Sequence, residues 1–174
     1  MPDALKTQSM CDAAFEEDPM IFEYVPDHHK TLTMCERAIA ASLSNFEHVP
    51  DRFKTQELCN YAVASCVVNF EHVPDSFKTL EVCQRAIAGT LSNFKYVPDH
   101  FKTPGMCEDA VEHNSSNFEH VPDQFKTQEM CEAAAADNVD CFQYVPERFR
   151  NALFYKRVFY TNRSRFLYVP DHLK

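Results

Sequence analysis

The sequence predicts an all-α fold: an α-solenoid of seven stacked 24-residue repeats, each a longer helix followed by a short α or 3₁₀ helix. Three observations predict it. A Val-Pro-Asp triplet or a close relative recurs at Pro2, Pro26, Pro50, Pro74, Pro98, Pro122, Pro146 and Pro170, always 24 apart, with no insertion or deletion. Ungapped repetition means that each unit meets its neighbours in one geometry, which is how a solenoid is built. Apolar residues inside the unit fall at helical spacing. Finally, the 174 residues contain ten prolines but only two glycines, Gly89 and Gly105, too few for the turns of a β-solenoid.

Counting phase 1 at the proline, residues 1–174 form a single helical-repeat domain. Its repeats are 2–25, 26–49, 50–73, 74–97, 98–121, 122–145 and a divergent, basic 146–169, with a partial unit at 170–174. Phase 6 is threonine from Thr7 to Thr127 and asparagine at Asn151; both residue types cap helix N-termini. Glu57, Glu81 and Glu129 follow where the helix N-terminus favours negative charge. Pro104 follows the cap Thr103, and proline suits the first helical position. The long helix therefore starts at phase 7. Its apolar phases 9, 10, 13 and 14, as in Met130, Cys131, Ala134 and Ala135, share one face. Alanine at phase 13 in six repeats points to close helix–helix approach.

The second element covers Phe-Glu-His/Tyr-Val, with the phase-20 asparagines Asn45, Asn69, Asn93 and Asn117 expected as its N-caps. Proline at the next phase 1 disfavours α conformation at the preceding valine, so this helix should be one or two turns or finish as 3₁₀. Phenylalanine at phases 4 and 21 and valine at phase 24 are expected to complete the core.

The stretch Tyr96–Val111, Tyr-Val-Pro-Asp-His-Phe-Lys-Thr-Pro-Gly-Met-Cys-Glu-Asp-Ala-Val, resembles a class of tandem repeats grouped as a domain of unknown function. Their core reads Pro-Asp-x-x-Lys-Thr-x-x-Met-Cys-x-x-Ala-Val, and the resemblance weakens after Arg150. It implies a repeat type and no particular activity. The period is also similar to that of the leucine-rich variant repeats, which alternate α and 3₁₀ helices; that likeness is architectural.

The eight cysteines invite a disulfide or zinc reading. Six of them, from Cys11 to Cys131, form a phase-10 ladder within the long helices. Stacked helices lie about 8–10 Å apart, whereas a disulfide wants Cα atoms within roughly 7 Å. No Cys-x-x-Cys occurs. The expectation is buried, reduced thiols, no bound metal, no cofactor and a cytoplasmic, reducing location. The polar N-terminus lacks a signal peptide's apolar stretch, and no apolar run approaches the roughly 18 residues of a membrane span. Phase 23 interchanges His and Tyr, which favours packing with an exposed polar tip over metal ligation. The phase-2 Asp and phase-5 Lys rows are expected to stabilise the turn.

Charge is unevenly distributed. The net −9 combines −14 over residues 1–144 with +5 over 145–174. Repeat one carries −5 and repeat seven +5. No catalytic constellation breaks the repeat symmetry, so the chain is expected not to be an enzyme. The favoured function is a non-catalytic protein-binding scaffold, reading its unidentified partner through the variable phase 12: Arg37, Tyr61, Arg85 and Asp109. One alternative is a structural component that self-assembles head to tail through its acidic first and basic last repeats. A second is nucleic-acid contact through Arg148, Lys156, Arg157, Arg163 and Arg165, which are interleaved with aromatic residues. No membrane partner is expected.

Overall fold

The computed structural model describes residues 5–159 and shows an all-α solenoid of regularly alternating α and 3₁₀ helices. The α-helices are α1 (Gln8–Glu17), α2 (Leu32–Ala41), α3 (Gln56–Ser65), α4 (Leu80–Gly89), α5 (Pro104–His113), α6 (Gln128–Asp137) and α7 (Ala152–Phe159). Each begins at phase 7. In the first six the phase-6 threonine hydroxyl accepts the N–H three residues on, as Thr55 does from Leu58 at 3.2 Å. Pro104 occupies the first helical position of α5, where its missing N–H costs nothing.

Between α-helices the chain makes two 3₁₀ segments rather than one short helix. The first spans six residues, for example Leu43–His48, and the second three, Asp51–Phe53. The intervening proline explains the break. Pro50 sits at φ −61°, ψ 141°, an extended setting, and has no N–H to continue the ladder. The phase-20 asparagines are not caps. They lie inside the six-residue segment, buried, while the capping position is phase 17, where Asp18, Asn114 and Asn138 accept the N–H two residues on.

Buried asparagine instead ties layers together. Asn93 Nδ2 donates to the Ala86 carbonyl at 3.1 Å and to the Val67 carbonyl of the preceding repeat at 2.8 Å. Asn69 does the same toward Ala62 and Leu43. In repeat six Cys141 takes this place, its thiol donating to the Ser115 carbonyl at 3.2 Å.

The chain divides into two compact units, Met1–Asn93 and Phe94–Lys174. The core of the first is built from Phe22, Phe46 and Phe70, from Cys35, Cys59 and Cys83, and from the phase-13 alanines Ala38, Ala62 and Ala86, all fully buried. The second repeats the pattern with Phe94, Phe118, Cys107, Cys131, Ala110 and Ala134. There Phe154 and Tyr155 of α7 replace the phase-9 and phase-10 residues, and their rings pack against Phe142 with centroids 6.2 and 5.9 Å away. The phase-4 phenylalanines Phe53, Phe77, Phe101 and Phe125 are only half-buried, short of the core position expected of them. Arg52 covers Phe53, its guanidinium carbon 4.5 Å from the ring centroid. Among the described residues no helix is long and apolar enough to cross a membrane.

Candidate partner-binding surface

The phase-5 lysines are the most consistent polar feature of the fold. Lys30, Lys54, Lys78, Lys102 and Lys126 are buried. Each ammonium lies 2.8–3.1 Å from the phase-2 aspartate three residues back. Each also sits about 5 Å above the buried phase-21 phenylalanine ring of the repeat before, as Lys54 does over Phe46 at 5.1 Å. Lys30, Lys54, Lys102 and Lys126 then donate forward to the carbonyl of the phase-23 residue, at 2.6–2.9 Å. The row is thus structural, and it explains how a buried cation is tolerated: its three donors meet a carboxylate, a carbonyl and a ring face. Arg150 breaks the pattern by bonding backward, to the carbonyls of Val145, Gln143 and Phe142.

The eight cysteines are free thiols. Burial pushes Cys35, Cys59, Cys83, Cys107, Cys131 and Cys141 up to about 11, which keeps them protonated and inert near neutrality. Among the described residues no group of three or more His, Cys, Asp or Glu is placed to hold a metal ion. In the phase-23 row His48, His72 and His120 are half-buried and turn their polar tips to glutamates of their own or the preceding repeat. Glu47 bridges two of them, 3.4 Å from His48 and 3.8 Å from His72. Tyr144 donates its hydroxyl to Glu119 at 2.7 Å, while burial lowers His120.

Phase 12 lies on the exposed face of the α-helices. Arg37 pairs with Glu16 of the preceding repeat and places its guanidinium carbon 5.2 Å over Phe15. Tyr61 is 54% exposed. Arg85 pairs with Glu81 one turn back at 3.1 Å, and Asp109 is exposed. Of the basic C-terminal residues, Arg148 stacks on Phe149 and donates to the Asp123 carbonyl. Arg157, also at phase 12, reaches Glu132 of the preceding repeat at 2.8 Å. Lys156 is exposed on α7. Arg163 and Arg165 lie outside the described residues.

Phase 12 is alanine in two repeats, at Ala13 and Ala133, and of the two Ala133 follows an α-helix of a preceding repeat. Where Arg37 and Arg157 fold back over the groove between successive helices, Ala133 cannot. A cleft of about 650 Å³ opens there between α5 and α6. Val111, Met130 and Ala134 form its apolar floor, and Glu108, Glu112, Glu129 and Asp137 supply carboxylates around it. The readable signal was the interruption of the phase-12 row by a methyl group. Comparison of the chain with protein-family models, with curated proteins and with solved structures finds no match.

Proposed function

We propose that the chain is a non-catalytic protein-binding scaffold, built from the repeat type its Pro-Asp-x-x-Lys-Thr-x-x-Met-Cys core resembles and acting in a reducing, cytoplasmic compartment. One observation carries this reading. The side chains at phases 5, 10, 13 and 21 scarcely vary, whereas phase 12 presents arginine, tyrosine, arginine, aspartate, alanine and arginine from the second repeat to the seventh on the exposed helix face. A constant scaffold with a variable outward row is how repeat proteins create specificity. The residue types fit as well, since Arg and Tyr are enriched where interfaces bind most tightly.

Cross-linking and capture from cells, with mass spectrometry, test the reading. The variant R37A/Y61A/R85A/D109A should keep its helical circular dichroism and lose a defined set of partners. A partner set identical to that of the unsubstituted chain counts against the scaffold reading.

A further inference from the structure

We propose that the α5/α6 cleft binds an arginine side chain presented by a partner protein. The proposal rests on the scaffold reading and names the chemistry that one of its surfaces recognises.

The fold itself shows what fills this groove. Between α1 and α2 the occupant is Arg37, whose guanidinium meets Glu16 at phase 15 and lies over Phe15 at phase 14. Between α6 and α7 the occupant is Arg157, which meets Glu132 at phase 11. Two grooves are thus closed by a phase-12 arginine reaching back one repeat, each using a different carboxylate.

Between α5 and α6 both carboxylates are present together and the arginine is missing. Glu112 stands at the position of Glu16 and Glu108 at that of Glu132, while Ala133 stands where the arginine would begin. Both glutamates line the cleft, and among the described residues neither is paired with a cation. Val111 takes the place of Phe15 beneath. The floor is therefore suited to the aliphatic stem of an incoming side chain, and the rim to its charged head. Glu129 and Asp137 add further negative charge at the rim. A planar guanidinium can bond two carboxylates through its fork of donors, which a lysine ammonium does less well. Charge complementarity and two internal precedents thus select the same ligand group.

The test uses the full chain and a fluorescein-labelled hexapeptide carrying two arginines, followed by fluorescence anisotropy at low salt. A second peptide carries citrulline, which keeps the shape and loses the charge. Saturable, single-site binding is expected for the arginine peptide, weaker by about tenfold for the citrulline peptide and for E108Q/E112Q. Binding should vanish in Ala133→Arg, where the inserted guanidinium occupies the site from within. Arginine is already native at this phase in three repeats, so Ala133→Arg should melt like the unsubstituted chain. Absence of saturable binding overturns the proposal. So does full binding by both variants, which would mean general attraction to an acidic chain. Neither result touches the scaffold reading, which stands or falls with the fourfold phase-12 variant.

Discussion

Lys54 donates its buried ammonium to the backbone carbonyl of His72, 2.7 Å away and eighteen residues along the chain. The same nitrogen lies 3.1 Å from Asp51 and 5.1 Å above the ring of Phe46. One side chain thereby joins three segments: the 3₁₀ turn of its own repeat, the end of that repeat's six-residue 3₁₀ segment, and the phenylalanine of the repeat before.

Of these bonds the carbonyl contact should dominate stability. Lys54→Met keeps the stem and deletes the donor, leaving the His72 carbonyl without it; the expected cost is about 1–3 kcal/mol. Asp51 is 76% exposed on its side chain, so Asp51→Asn should cost under about 1 kcal/mol. Urea denaturation of the two variants separates them. Equal losses would mean that the ion pair, and not the carbonyl bond, is what the lysine contributes.

The thiol ladder makes alkaline stability a measurable property. Cys35, Cys59, Cys83, Cys107, Cys131 and Cys141 stand at about 11 when folded, against an ordinary value near 9. The folded state therefore holds protons that the unfolded state releases. Their contribution is complete below about pH 9 and is lost as pH rises toward about 11. The urea midpoint should fall across that window, and less steeply for Cys59→Ala, which removes one such thiol. With a thiol reagent at pH 8, only Cys66, the half-exposed member, should react quickly before unfolding. Rapid reaction of several thiols in the folded chain would contradict that burial.

The two glycines should respond in opposite directions. A Cβ on Gly89 would stand 2.4 Å from Cγ1 of Val67, closer than real contacts allow, and the β-branched valine has little freedom to turn away. Gly89→Ala should destabilise by about 1–3 kcal/mol. A Cβ on Gly105 meets nothing within 4 Å, so Gly105→Ala should stabilise α5 by about 0.5 kcal/mol through helix propensity. Thermal melts of the pair check both signs.

What the sequence alone makes legible is local. Thr55 as a cap, Pro104 at the first helical position and the buried Cys59 and Ala62 follow from spacing within one helix, and 24-residue repetition tells the reader six times over. Other features depend on a partner in a distant segment. Asn69 looks like a cap because asparagine usually is one, yet its amide bonds to Leu43, 26 residues back. Lys54 and Asp51 read as a pair that stabilises their own turn, and they do pair there; only the fold brings the His72 carbonyl to that lysine. The α5/α6 cleft is harder still, since its signature is a small side chain at Ala133, and an opening is defined by the neighbours that surround it.

The two groove-closing arginines should differ in what they contribute. Arg37 and Glu16 are both substantially exposed, 42% and 66% on their side chains, so Arg37→Ala should cost no more than about 1 kcal/mol, and less at high salt. Arg157 is also exposed, but its partner Glu132 is only 14% exposed and has Gln128 as its other donor, at 2.7 Å. Arg157→Ala leaves a largely buried carboxylate with that amide alone. Its cost should be larger, about 1–3 kcal/mol, and should persist at about 0.5 M salt, where the Debye length is only a few ångströms. Denaturation of both variants at low and high salt decides; losses of equal size that vanish together would show Glu132 to be solvated like Glu16. In the α5/α6 cleft both Glu108 and Glu112 are exposed, so a ligand arginine there meets the Arg37 situation twice. Its binding must therefore weaken with salt, and the shape of the cleft, more than either charge, must discriminate among basic partners.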